Sequence, residues 1–410
     1  MSNNPYEMGV RLEIALAQPN LIVLDSPEAG RLDRNLLGLE AQTNNLFVLD
    51  KDQLDAKTLG DPADTVNTQW VNLMGDAQTI SIQRGAKRGS GMLPLLDLGT
   101  LDARIIGPHF DPLANQLMKP GAPVRLMKND TVIWTGNLYK ASSKYGLPGK
   151  PTVVSITAVD RVSQLSGINR YGITAGSFVM RVDDLLGSYG IPYSTFGGTA
   201  NLAANQVETS LLNHLQLTAD SELGRLFISK NNQVYVYGQD YTPTSSGLVL
   251  SDKDRSPGYT GIDATYDMGD LFNEVTVKNM TRTYNDQNEA QNVETSYGPF
   301  VNETSIATWY SQAGDVTTNL DSEEQIRAVG EHLLDWYSRP FATVQSVIFN
   351  AGAAPDKAAN LELFQTVRVE YENEYFALDE EYLVMGMKHD LNKDRWLVTL
   401  DLTNYERNDT

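Results

Sequence analysis

The chain has 410 residues, of which 41% are hydrophobic and 20% charged, so it is long enough for two or three domains with real cores and falls outside the disordered class. Its 52 acidic residues against 32 basic ones give a net charge of −20, which argues against gripping nucleic acid through phosphate contacts. The absence of cysteine excludes disulfides, thiolate metal sites and cysteine nucleophiles, and 19 tyrosines tilt the composition toward strands.

Residues 1–10 contain neither a basic n-region nor an apolar h-region, so no signal peptide is expected. No run reaches the roughly 18–20 apolar residues that a membrane span needs. The chain is therefore expected to be made soluble and to reach any extracellular place by a route other than its own signal.

Short apolar runs predict strands over 11–14, 21–24 and 46–49. Alternation predicts further strands over 79–83 and 101–106, the first of them meeting a glycine-rich turn at 85–91. Three more, over 124–127, 131–139 and 152–159, are separated by Asn129-Asp130 and by the loop 147–151, which reads as a meander. A short helix over 181–190 is stopped by Gly190 and Pro192. Residues 197–205 are small and polar, a loop. A second helix starts near Thr209 and carries Leu211, Leu212, Leu215 and Ala219 on one face. A hairpin over 225–237 follows, turning at Lys230-Asn231-Asn232, and then a polar stretch, 241–261, that reads as a long loop or linker.

The last part opens with a strand over 273–278, and the turn-rich segment 280–297 reads as a hairpin or mobile loop. The clearest helix has Ser322 as N-cap and Gln325 as the partner of a capping box. Ile326, Val329, Leu333, Leu334 and Tyr337 repeat at helical spacing before Pro340 ends it. Strands over 343–349, 366–371, 382–388 and 396–402 close the chain as a second meander. The two meanders echo one another. Each opens on a Val-Arg pair (Val124-Arg125, Val367-Arg368), carries a later glycine (Gly136, Gly386) and ends near an acid (Asp160, Asp401). Chance likeness of two meanders stands beside a loose duplication that would give two similar small β-barrels.

Chemistry-bearing clusters are scarce. His109, His214, His332 and His389 have no metal-ligand spacing to one another, and His214 and His332, on predicted helices, read as ordinary surface or boundary residues. The glycines of 85–91 lack phosphate-loop spacing. Asp252, Asp254, Ser256 and Asp263 resemble a calcium loop, but Pro257 occupies the glycine slot and Gly258 falls one place late, so a solvated loop is the alternative. Asp390, Asn392 and Asp394 fit a hairpin turn. No local pattern singles out a glycosidase pair among the 52 acids, so no catalytic, cofactor-binding or metal-binding residue is assigned and no enzyme is expected.

The placement of charge says more. Residues 321–410 contain 18 acids and 8 bases, half of the whole net charge. Glu370, Glu372 and Glu374 alternate along and just beyond one strand, which puts them on one face. That face is either simply solvated or a wall turned toward something it must not bind.

An ordered series of segments resembles a known family. It runs Ser81-Ile82-Gln83-Arg84-Gly85, Asp97-Leu98-Gly99-Thr100-Leu101, the segment 110–115, Lys119-Pro120-Gly121-Ala122-Pro123-Val124-Arg125, Trp134-Thr135-Gly136 and Ala158-Val159-Asp160. It continues through 211–217, 219–227 and 234–237 to 272–277, Ser296-Tyr297-Gly298, Tyr337-Ser338-Arg339-Pro340 and 382–402. The series is similar to siphophage minor tail proteins, the tail hub or baseplate hub of long non-contractile tails, and matches over roughly residues 75–405. No single motif is specific. Larger relatives carry hydrolase or carbohydrate-binding extensions that have no counterpart here.

The resemblance implies a mainly β chain with an α+β insert. It implies an N-terminal β-barrel over 1–167, a helix–hairpin insert over 168–265, and a second barrel with one long helix over 266–410. As in the similar central hub of contractile-tail baseplates, it implies a homotrimer whose two barrels per chain make a pseudo-six-fold ring. Implied partners are the distal tail protein or tail tube protein, the tape-measure protein and tail-tip or fibre proteins. Genomic DNA would pass through without specific binding, with Glu370, Glu372 and Glu374 facing the channel. The location is the virion tail tip, assembled in the host cytoplasm. A carbohydrate-binding tail-tip adhesin is the alternative function.

Overall fold

The computed structural model describes residues 4–17, 68–87, 92–107, 110–113, 118–145, 152–253, 257–266, 268–375 and 377–404. The strands expected at 21–24 and 46–49, His109, Asp254, Ser256, the loop 147–151 and part of the turn at 85–91 lie outside the described residues.

The fold is mainly β. The N-terminal strands are β1 (Val10–Ala17), β2 (Thr68–Asn72), β3 (Ala77–Lys87), β4 (Leu95–Leu96), β5 (Thr100–Ile106), β6 (Pro123–Lys128), β7 (Thr131–Lys144) and β8 (Val153–Val159). Strict alternation forms them: in β5, Leu101, Ala103 and Ile105 are buried while Asp102 and Arg104 face out. Asn129, at φ +50°, makes the tight β6–β7 turn, a conformation asparagine tolerates.

The middle segment runs α1 (Val162–Gly167), β9 (Asn169–Ile173), β10 (Gly176–Ser177), α2 (Phe178–Gly187), β11 (Tyr193–Phe196), β12 (Asn201–Leu202), β13 (Asn205–Ser210), α3 (Leu211–Ser221), β14 (Arg225–Ile228) and β15 (Val234–Tyr237). Ser177 and Ser210 cap α2 and α3, accepting from the Met180 and Asn213 amides. The cap of α3 is therefore one residue later than Thr209. Apolar faces at helical spacing (Phe178, Val182, Leu185, Leu186; Leu211, Leu215, Ala219) meet Leu226, Ile228, Val234 and Val236 in a core of their own. His214, expected near the surface, is 1% exposed, because its face of α3 turns toward β9.

The rest comprises β16 (Ser245–Ser251), β17 (Tyr259–Tyr266), β18 (Glu274–Tyr284), β19 (Ala290–Val301), α4 (Glu303–Trp309), β20 (Ala313–Thr318), α5 (Glu323–Tyr337), β21 (Ala342–Asn350), α6 (Pro355–Asn360), β22 (Thr366–Glu372), β23 (Ala377–Asn392) and β24 (Trp396–Asn404). The stretch 241–261, expected as a loop, instead carries β16 and the start of β17. Each is a short strand lying against a neighbour distant in sequence, β22 and β21, with partners such as Ser245↔Thr366 and Tyr266↔Ala342. Such distant partners override weak local propensity. Strands β18, β19 and β20 form a separate sheet covered by α5, with Val275, Val277, Val316, Ile326 and Leu333 as its core. Helix α5 begins where expected, but Ser322 makes no side-chain cap and Gln325 Oε1 is buried without a partner, so the capping box is not formed. Glu323 and Glu324 in its first turn complement the helix dipole instead.

Duplication is visible in the topology. The order β3-β5-β8-β7-β6 recurs as β17-β21-β24-β23-β22, every neighbour antiparallel. A register shift falls between Leu138 and Lys140 on β7 and between Val384 and Gly386 on β23. Beside it, Leu138 exchanges backbone bonds with Gly121 and Ala122 (2.7 and 2.7 Å), and Val384 does so with Phe364 and Gln365 (2.8 and 3.0 Å). Gly121 and Phe364 both have positive φ, +92° and +60°. This superposition equates Leu138 with Val384, and the Val124-Arg125 pair with Val367-Arg368, as the sequence suggested. It corrects the other two matches. Gly136 falls opposite Val124 as Tyr382 falls opposite Val367, and Asp401 corresponds to Thr157, not to Asp160.

Candidate functional site

Strand β23 is where the two modules fuse. Its first half, Ala377 to Leu383, pairs with β22; past the shift, Gly386 to Asn392 pair with β3 of the first module. The two sheets thereby become one, over a single hydrophobic core that includes Trp134, Ile156, Phe349, Val384 and Trp396. Two glycines permit the crossing. Gly85 has φ +130°, and a Cβ there would lie 2.4 Å from both the Gly386 Cα and the Met385 carbonyl oxygen.

Polar groups lock the junction. Ser81 Oγ donates to Asp390 Oδ1 at 2.7 Å. Arg84, 4% exposed, pairs with the Glu362 carboxylate, and the other Glu362 oxygen accepts the Lys230 amide at 3.0 Å. One carboxylate thus ties β3, the approach to β22 and the β14–β15 turn, and a buried cation of this kind requires such a partner. His389, opposite Ile82, is fully enclosed, and its Nδ1 accepts the Trp396 indole N–H at 3.1 Å. Burial first, and the neighbouring Arg84 charge second, push its pKa down to about 3.

The insert docks through aromatic rings. Phe227 stacks on Tyr235 (5.1 Å between centroids) and contacts Phe364 (5.0 Å), while Tyr237 stacks on Tyr241 (4.0 Å). Close by, a cavity of about 330 Å³ opens where α5, β14 and β23 meet, with Arg225, Tyr241, Trp336 and Met385 on its walls. Arg225 donates to the Leu223 and Gly224 carbonyls, and burial lowers its pKa.

The three glutamates singled out by the sequence are placed unequally. Glu370 is 8% exposed, accepts from Ser251 Oγ at 2.9 Å and lies 3.4 Å from Arg368. Glu372 is exposed and paired with Lys253 at 2.9 Å. Glu374 lies exposed beyond the end of β22. Arg368 also holds Asp379 through two bonds, 2.5 and 2.6 Å, and Thr366 Oγ1 donates to Glu381. Lateral neighbours therefore meet much of the acid along this strand. Among the described residues no group of three or more His, Asp or Glu could hold a metal ion, and no helix is long and apolar enough to cross a membrane.

The junction residues escaped the sequence reading because Arg84 and Glu362 stand 278 positions apart and nothing local marks either. The Val-Arg echo was the available signal.

No family model matches the chain, and no curated protein does. Solved structures match in fold. A tail protein from Neisseria meningitidis MC58 aligns with a TM-score of 0.56 at 14% identity, over 82% of this chain and 94% of that one. The 43 kDa tail protein of prophage MuSo2 from Shewanella oneidensis aligns with a TM-score of 0.54 at 13% identity, over 82% and 95%.

Proposed function

We propose that this chain is a structural protein of a phage tail, forming the hub ring at the tail tip. The observation that carries the reading is the module present twice in one chain with the same strand order and fused through β3 and β23. A subunit holding two equivalent modules lets three copies present six similar surfaces, which is what a three-fold tip needs to mate with a six-fold tube. The fold shared with two tail proteins, one of them from a prophage, supports the tail setting. In this reading the ring joins the distal tail protein or tube to the tip. It meets the tape-measure protein and tip or fibre proteins, and lets genomic DNA pass without specific binding. The divisions 1–167, 168–265 and 266–410 serve as its working units, although β17 (Tyr259–Tyr266), the first strand of the second module, spans the boundary between the last two.

Electron microscopy of tail tips, with native mass measurement of the purified chain, tests the proposal. Three-fold density at the tube end with a mass of three chains is the expected result. A monomer absent from the tube end, combined with binding to host cells or to a glycan array, would establish the adhesin reading instead.

A further inference from the structure

Among the described residues, no strand fills the counterparts of the junction inside the chain. In the second module, β23 past its register shift receives β3, the first strand of the other module. The equivalent of residues 386–390 is 140–144 of β7, and the equivalent of β3 is β17. Beyond Leu138, β7 pairs with β8 on one side, and among the described residues no strand pairs with its other side. Nor does any pair with the outer edge of β17, which ends the sheet. Exposed strand edges are usually guarded by lysine or proline. The eight residues of β17 include neither.

We propose that a second copy of this chain adds its β17 to the open edge of β7, in the register by which β3 adds to β23. The occupant follows from the chain itself, because one of its two modules already binds the matching strand of the other. The register follows from the ladders. Asp263 pairs with Ser346 as Ser81 pairs with Asp102, and Ser346 and Asp102 face the equivalent residues Asp401 and Thr157. Ser81 sits opposite Asp390 and Ile82 opposite His389, so Asp263 of one copy sits opposite Lys144 of the next, and Ala264 opposite Ser143. Asp263 and Lys144 are both exposed. The pairing is chemically apt: β17 carries one acid and the receiving edge carries Lys140 and Lys144. Those lysines also discourage β7 from pairing with itself. The contact is head to tail, and its repetition gives a closed ring when the rotation between copies closes, as the hub reading requires. The inference rests on the hub reading for the number of copies, not for the strands involved.

The cysteine-free chain makes the test direct. Asp263→Cys combined with Lys144→Cys, oxidised in the purified protein and in assembled tails, is expected to give covalent dimers and trimers on a denaturing gel, with no ladder above dimer from either single variant. Charge reversal gives a second measurement: Asp263→Lys is expected to reduce the assembled fraction at least tenfold, and adding Lys144→Asp to restore it. Assembly at the mass of three chains with no ladder and no charge effect would overturn the interface and leave the hub reading standing. A monomer in both settings would overturn both.

Discussion

His389 shows how one side chain makes the junction sensitive to acid. Its folded pKa is about 3 against an ordinary value of 6.5, so between these values unfolding takes up a proton. The stability it contributes is intact above pH 6.5 and falls by about 1.4 kcal/mol per pH unit below it. Asp160 and Asp220 act in the opposite sense. Burial raises each from 3.8 to about 7, so the folded chain keeps protons that the unfolded chain has lost, and stability falls as pH rises across that window. The histidine is isolated by comparison with His389→Gln, which retains an acceptor for Trp396. Between about pH 6 and about pH 4 the melting temperature of this variant is expected to fall less steeply, or rise more, than that of the parent. Parallel curves would show that His389 does not titrate in this way.

Strand β23 has two partners along one edge, and the change of partner occurs at Gly386. Backbone, not a flexible side chain, crowds Gly85, so a methyl group there has nowhere to go. Gly85→Ala is expected to lower stability by at least about 2 kcal/mol in denaturant unfolding. Gly75→Ala, whose Cβ meets no heavy atom within 4 Å, is expected to stay within about 0.5 kcal/mol of the parent. Equal effects of the two substitutions would mean that the crossing is not tight. The elements themselves were largely legible. Alternation located the strands of both meanders, and helical spacing located α3 and α5. Strands β16 and β17 were not legible, because a strand rich in Ser, Thr and Gly resembles a loop until its distant partner is known.

Across the whole molecule, charge and duplication bear on different parts of the function. If Glu370, Glu372 and Glu374 line a passage for DNA, their effect reaches about 8–10 Å before salt screens it. Replacing all three by Gln, which retains hydrogen-bonding oxygens, is expected to slow genome ejection measurably while particle assembly stays normal. Unchanged ejection would place them outside the channel. The local partners of Glu370 and Glu372 make Glu374 the residue whose charge projects most freely. The sequence by itself determined the β character, the insert with its two amphipathic helices and the existence of an echo, since all three are written in periodicities of two and 3.6 residues. Tertiary structure alone decided which residues of the echo correspond, how β3 completes the other module and which strand edges have no partner among the described residues. Those outcomes depend on register and on contacts across hundreds of residues, where a shift of one position exchanges the buried and exposed faces of a strand and leaves no local mark.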